Sequence, residues 1–468
     1  MAANAQYDLV VLGGGTGGYV AAIRAAQLGM KVAVVEKDKV GGTCLHLGCI
    51  PTKALLHTAE LLHQVRHGDQ VGLAVESVAL DYPKALSYKE RVVGQLYRGV
   101  QYLLKKNGVT TISGRGTVLD AHRIRVETDG GPEEVLGQHL LIATGSVPRP
   151  LPGVPFDGQR VVSSDHVLTA QDLPGSILII GGGAIGVEFA SMYHDFGVEV
   201  TVVEMMDHLL PSEDVDIAHT LETILTKRGI HVLTGAELLR DRLKVDASGV
   251  TAAIATRQGD VTTVRADRML VAIGRAPLTE GIGLEAVGVA TDRGFIRVDD
   301  RYRTSVPGIW AIGDVIGGYL LAHVAAHEGM IAVETMAGQD PEGLSPLRVP
   351  RVTYCRPEVA SVGWTAAEAE AQGHRVKVGT FPFRANGRSL ILGEAEGMVK
   401  LVADQETDAL LGAHIIGPNA SDLVNEMALA RFLESTGWEV AESVHAHPTV
   451  SEVLHEAALA LDGHAIHV

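Results

Sequence analysis

The sequence predicts an α/β fold: two Rossmann-like dinucleotide-binding domains followed by a C-terminal α+β domain. Three observations carry this. A block of strand, glycine turn, helix and strand occurs twice at a constant offset. Further apolar runs that end in glycine fall where the sheet of each block should close. Beyond Pro350 the texture changes to alternating strands followed by helices. At about 150 residues per domain, 468 residues suit roughly three domains.

Residues 7–37 read YDLVVLGGGTGGYVAAIRAAQLGMKVAVVEK, and residues 175–205 read GSILIIGGGAIGVEFASMYHDFGVEVTVVEM. Gly13, Gly15, Gly18 and Glu36 of the first copy match Gly181, Gly183, Gly186 and Glu204 of the second, 168 residues on. This is the G-x-G-x-x-G fingerprint of a βαβ dinucleotide site. Its first glycine makes the tight turn, its second lets the backbone approach a pyrophosphate, and its third permits close helix–strand packing. The helix N-terminus holds the pyrophosphate, and the acid at the end of the second strand accepts from a ribose hydroxyl. A single G-x-G-x-x-G is weak evidence, whereas two in-register copies, each with its strand, helix, strand and acid, are strong.

Helical patterns run from near Cys49 toward Arg66, and from about Pro83 to Lys106, stopping at Asn107–Gly108. The runs LLIATGS at 140–146 and LVAIGRAP at 270–277 read as closing strands, and GIWAIGD at 308–314 as a third that ends in an acid. In the C-terminal part, Gly397 to Ala403 and Ala409 to Ile416 read as strands. The net charge of −17 argues against nucleic-acid or anionic-membrane partners, which need a basic face. Neither a membrane span nor a signal peptide is visible, so a cytoplasmic location is expected. Three Cys are too few for a secreted disulfide scaffold.

Two of those three fall within GGTCLHLGCIPTKALLH at 41–57. Pro51 fits the first turn of a helix, which places Cys49 at or near its N-terminus, where the dipole and free N–H groups favour a thiolate. The C-x4-C spacing, with no second Cys/His cluster, does not suit a structural zinc site. The plain alternative is two buried, unrelated thiols. It is a poor one for two cysteines lying directly beside a cofactor motif.

With these residues in view, the sequence resembles the FAD-dependent pyridine nucleotide–disulfide oxidoreductases over essentially its whole length. The resemblance rests on GGGTGG (13–18), GGTCLHLGCIPTKALL (41–56), ATGS (143–146), GGGAIGVE (181–188), AIGRAP (272–277), AIGD (311–314), LLAH (320–323) and HAHPTVSE (445–452). It implies an FAD-binding domain over 1–146, an NAD-binding domain over 147–276, a central region completing the FAD domain over 277–347, and an interface domain over 348–468. FAD would be held by Gly13, Gly15, Gly18, Glu36, Thr43, Lys53, Gly116, Thr144, Gly145, Ser146, Asp314, Leu321, Ala322 and His323. NAD would be held by Gly181, Gly183, Ile185, Gly186, Glu188, Glu204 and Gly274, with Glu188 also pairing with Lys53. Glu204 would repel a 2′-phosphate, and Met205, Met206, Asp207 and His208 supply no Arg to accept one, which favours NAD over NADP.

The resemblance further implies a redox disulfide between Cys44, the interchange thiol, and Cys49. It makes His447 the base and Glu452 its orienter. The residues themselves place a helix start at Pro448, which leaves His447 at the loop edge and Glu452 on the first turns. His445 has no assigned role, and no third ligand supports a metal at His445 and His447. The implied substrate is dihydrolipoamide on a lipoyl domain. The implied partners are a second copy of the chain that shares the active site, and the E2 component of a 2-oxo-acid dehydrogenase complex or the glycine-cleavage H protein. An NADH-dependent reductase of another low-molecular-weight disulfide, or a flavin-binding sensor without turnover, are the alternatives. Cys355–Arg356 before Pro357 departs from the frequent Thr-His of relatives; His46, Thr52 and Ala276 are further departures.

Overall fold

Val- and Ile-rich runs without polar alternation fold as strands buried on both faces, and both copies of the repeated block do so. The computed structural model describes residues 6–468, which divide into two compact units. The first comprises the N-terminal stretch to Ala54, Pro83–Arg149 and Arg275–Leu344; the second comprises Leu55–Tyr82, Pro150–Gly274 and Ser345–Val468.

In the first unit five strands run parallel, in the order Thr110–Ser113, Val32–Glu36, Tyr7–Leu12, the second half of Gly131–Ile142, and Ile309–Ala311. The first half of Gly131–Ile142 pairs antiparallel with Arg123–Thr128, which pairs in turn with Arg115–Asp120. Helix Thr16–Gln27 packs against helix Ala322–Met336 through small residues. A Cβ on Gly17 would lie 2.9 Å from the Ala325 carbonyl, and one on Gly329 would lie 2.9 Å from that of Gly17. The run at 140–146 breaks after Ile142. Ser146–Pro148 instead joins Arg275–Pro277 in a separate two-stranded ribbon, so 270–277 is likewise two strands and not one.

The second unit holds the second copy as a parallel sheet ordered His231–Leu233, Glu199–Val203, Ser176–Ile180, Arg268–Val271, Val161–Val162. Its C-terminal part is a five-stranded antiparallel sheet ordered Arg351–Thr353, Glu358–Gly363, Leu410–Gly417, Met398–Asp404, Val376–Pro382. Helices Ala420–Phe432 and Glu452–Ala460 bury Leu423, Val424, Met427, Val453, Leu454 and Ala457 in the core with that sheet. Among the described residues no helix is long and apolar enough to cross a membrane.

One buried ion pair ties the two halves of this unit together. Lys400 Nζ lies 2.9 and 2.8 Å from the two carboxylate oxygens of Asp214, the N-cap of helix Val215–Arg228, and 2.6 Å from Asp216. Lys400 and Asp214 are 7% and 3% exposed at their side chains, so removing one partner strands a charge away from water. Lys400→Met is expected to cost about 3–5 kcal/mol of unfolding free energy, read by urea denaturation. A loss below about 1 kcal/mol would show that the Asp214 carboxylate is solvated.

Candidate active site

The two glycine loops are built alike. Gly13 and Gly181 adopt φ +106° and +110°, and a Cβ on either would lie 2.4 Å from a carbonyl oxygen, that of Ala143 or Ala272. A Cβ on Gly18 would lie 1.9 Å from the Gly13 carbonyl, and one on Gly186 would lie 1.9 Å from that of Gly181. In contrast, a Cβ on Gly15 or Gly183 meets nothing within 4 Å, and the helices they open have no side-chain cap. Each loop therefore offers open space in front of free N–H donors, which is what a pyrophosphate requires.

The terminal acids are locked by matching bonds. Glu36 accepts from Gly14 N at 2.7 Å and Asp38 N at 2.9 Å. Glu204 accepts from Gly182 N at 2.6 Å and Met206 N at 2.7 Å. Each oxygen keeps a second lone pair for a ribose hydroxyl. Arg257 pairs with Asp207 and points Nη2 at the Met205 carbonyl at 3.4 Å. An arginine thus does reach the strand end that Glu204 closes, from a distant hairpin that gave no sequence signal. Its charge is matched by Asp207.

The remaining predicted FAD residues lie in the same unit as the first loop. Thr43 lies in helix Gly42–Leu47 and Lys53 one turn into helix Cys49–Arg66. Gly116 is a packing glycine, since a Cβ there would lie 2.5 Å from Leu12 Cδ1. Thr144 donates its hydroxyl to the Leu278 carbonyl at 2.7 Å, and Gly145 takes φ +73° with nothing within 4 Å of a Cβ. Leu321, Ala322 and His323 open helix Ala322–Met336, again without a side-chain cap.

Ser146 and Asp314 form a relay that sequence reasoning missed. Arg275 Nε donates to Ser146 Oγ at 2.6 Å, and Nη2 donates to the Ser146 carbonyl at 2.8 Å. Because arginine can only donate, the serine hydroxyl must accept from it and donate its own O–H to Asp314 Oδ2. Next to it, Glu328 accepts from Gly313 N at 2.6 Å. Burial and the neighbouring Asp314 charge push the Glu328 carboxyl up to about 7, against the pull of that N–H.

Cys44 and Cys49 are joined by a disulfide, with Cα atoms 4.6 Å apart, and Cys49 is the first residue of its helix. Cys355 is a free, buried thiol. In the second unit, Ile185 and Glu188 lie on helix Ala184–Asp195, and Glu188 accepts from Tyr354 N at 3.0 Å. Gly274 has φ +110° and open space before it.

His447 Nδ1 lies 2.8 Å from Glu452 Oε1, and Thr449 N donates to Glu452 Oε2 at 2.8 Å. Burial alone would push the Glu452 carboxyl up; the Thr449 N–H and the His447 ring hold it below the usual carboxylate range. The expectation that Pro448 starts the helix is corrected. The helix begins at Glu452, because the Thr449 N–H and hydroxyl bond to Glu452 Oε2 and to the Ala446 carbonyl instead of entering a helical ladder. His447 stands clear of the surface at 80% exposure.

Residues 7–329 match the pyridine nucleotide-disulphide oxidoreductase family, and residues 349–458 match its dimerisation domain. The chain belongs to this family, its cofactors are FAD and NAD, and the second domain supports a homodimer. Among curated relatives, the dihydrolipoyl dehydrogenase of Bacillus subtilis is 50% identical over 99% of both chains. That of Zymomonas mobilis is 46% identical over 99% of both. Among solved structures, LpdA of Mycobacterium tuberculosis superposes with a TM-score of 0.89 at 31% identity, over 96% of this chain and 98% of that one. The copper(II) complex of the HOCl-induced flavoprotein disulfide reductase RclA from Escherichia coli gives 0.86 at 29% identity, over 97% and 99%.

Two predictions follow from this geometry. Gly18→Ala should lower flavin content per protein severalfold, whereas Gly186→Ala should leave flavin content intact and raise the KM for NAD; equal flavin loss in both would contradict separate sites. Glu328, with its folded pKa raised to about 7 from an unfolded value near 4.5, favours the fold below the lower value and loses that contribution as pH rises through the upper one. Glu328→Gln should therefore unfold at a higher temperature than the parent at pH about 8 and show no such gain at pH about 5; a gain independent of pH would contradict the buried protonated carboxyl.

Proposed function

We propose that this chain is a dihydrolipoyl dehydrogenase, oxidising protein-bound dihydrolipoamide to lipoamide through Cys44–Cys49 and FAD with reduction of NAD+ to NADH. The observation that carries the reading is the bridged pair at the head of helix Cys49–Arg66, in the unit that holds the first glycine loop. The names borne by relatives up to 50% identical supply the substrate class.

His447 takes the proton of one substrate thiol, and Glu452 fixes its tautomer and steadies the imidazolium. The thiolate attacks Cys44 Sγ, which breaks the Cys44–Cys49 bond and forms a mixed disulfide. Cys49 leaves as a thiolate at its helix N-terminus, which favours the negative charge. The second substrate thiol then attacks the substrate sulfur of the mixed disulfide, which breaks the bond to Cys44, and its proton passes to the leaving Cys44 sulfur. Lipoamide departs, and the enzyme dithiol holds the electron pair. FAD, when bound, supplies the two-electron relay from that dithiol to NAD+.

The first glycine loop, Gly13, Gly15 and Gly18, and Glu36 would hold the FAD, with Lys53 and Asp314 toward its flavin half. Gly181, Gly183, Gly186, Glu204 and Gly274 would hold the NAD. In the dimer, the exposed His447 of one subunit would serve the Cys44–Cys49 pair of the other. Lipoyl domains of an E2 component or of a glycine-cleavage H protein would deliver the dithiol. The bacterial sources of these relatives support a cytoplasmic setting.

The purified flavoprotein should form NADH from dihydrolipoamide and NAD+, and little NADPH from NADP+. Cys44→Ser and Cys49→Ser should each abolish this turnover, and His447→Gln should lower it by about 10²–10⁴-fold. Flavin reduction by NADH without dihydrolipoamide turnover in the parent protein would redirect the assignment to another disulfide.

A further inference from the structure

His445 lies two residues before the proposed base, and the mechanism above does not use it. Its ring is 9% exposed and is clamped at both nitrogens. Nδ1 lies 2.9 Å from the Ser443 carbonyl, and Nε2 lies 2.9 Å from Glu426 Oε1 on helix Ala420–Phe432. A carbonyl and a carboxylate can only accept, so both contacts form together only if both ring nitrogens carry protons. The Glu426 carboxylate is the main cause that raises the His445 pKa, against burial, with smaller help from the Ser443 carbonyl and Glu452.

The clamp is one of three that fix the strip before helix Glu452–Ala460. The Thr449 hydroxyl donates to the Ala446 carbonyl at 2.6 Å, and Glu452 takes the Thr449 N–H and the His447 ring. The groups facing the His445 ring are Glu426 on one helix and, on the other, Glu452 and the His455 ring at 6.0 Å between centroids. The positive charge of His445 is felt at Glu452.

We propose that His445 is a cationic positioning residue for His447: bound between the Ser443 carbonyl and Glu426, it pins the 443–449 strip and holds a positive charge beside the His447–Glu452 pair. The inference rests on the reading of His447 as the base. The pin places the exposed imidazole. The charge repels the one that His447 gains when it takes the thiol proton, so its loss should change how turnover depends on pH.

The test measures dihydrolipoamide turnover against pH for the flavin-loaded dimer, with flavin reduction by NADH as the readout of fold and cofactor. His445→Gln should shift the acid limb of kcat/KM to higher pH and cut turnover about threefold to tenfold at pH about 6, with a smaller loss above pH about 8. Glu426→Gln, at a half-exposed position, should move the limb the same way without disturbing the core. His445→Arg, which keeps the charge and two donors, should restore the limb. Unshifted limbs in both Gln variants would overturn the proposal, as would a limb that moves equally in the Arg variant. His447→Gln in the same series separates the two readings. If it retains full dithiol turnover, the base assignment itself fails. If it loses turnover while the 445 and 426 variants keep the parental profile, the base stands and only the present inference fails.

Discussion

Both dinucleotide loops depend on one contact: the start of a helix lying so close to the turn before it that no side chain fits between them. At Gly18 and at Gly186 a Cβ would sit 1.9 Å from a carbonyl oxygen, well inside contact distance. That approach brings the helix N-terminus over the strand end and aims its unpaired N–H groups at one point. The positive φ at Gly13 and Gly181 turns the chain into that position, and the open face at Gly15 and Gly183 leaves room for the ligand. Helix capping is sacrificed at both loops, since neither helix has a side-chain cap. A helix end without one is a defect unless something else accepts from its donors.

The acids at the strand ends are drawn into the same architecture. Glu36 and Glu204 each receive the N–H of the middle loop glycine, Gly14 or Gly182. The carboxylate that is to meet the ribose therefore also braces the loop that is to meet the pyrophosphate. A single side chain fixes the distance between two parts of the ligand site, and a change in the acid would disturb both. This is a stronger constraint on the sequence than ribose recognition alone.

The repeat, the strand ends and the helix that begins at Cys49 were legible because they are local. Each is carried by spacing within about thirty residues, the length of a βαβ unit. The supporting contacts were not legible, because their partners are far apart and share no period. Ser146 meets Arg275 and Asp314 across 129 and 168 residues, and Lys400 meets Asp214 across 186. The sequence also misled at Pro448. Proline suits the first turn of a helix, yet here the first helical residue is Glu452, and its side chain accepts from Thr449 N in the irregular stretch before the helix. Proline at a helix start and proline in the loop before one leave the same signature, and only the hydrogen-bond partners of the residues that follow distinguish them.

The three cysteines show how environment divides one side chain between two roles. Cys355 is buried, its Sγ lies 3.1 Å from the Pro357 carbonyl, and burial together with the Glu188 charge pushes its thiol far above the ordinary value. A thiol so placed stays protonated and poorly nucleophilic. Cys49 instead begins a helix, whose dipole favours the thiolate released when the bridge opens. A dithiol exchange enzyme needs this asymmetry: one pair that ionises readily, and no third thiolate nearby to capture the mixed disulfide. The departure at Cys355–Arg356 is compatible with such chemistry because the new thiol is sealed in the core. Arg356 beside it is taken up by Asp195, at 3.3 and 3.2 Å.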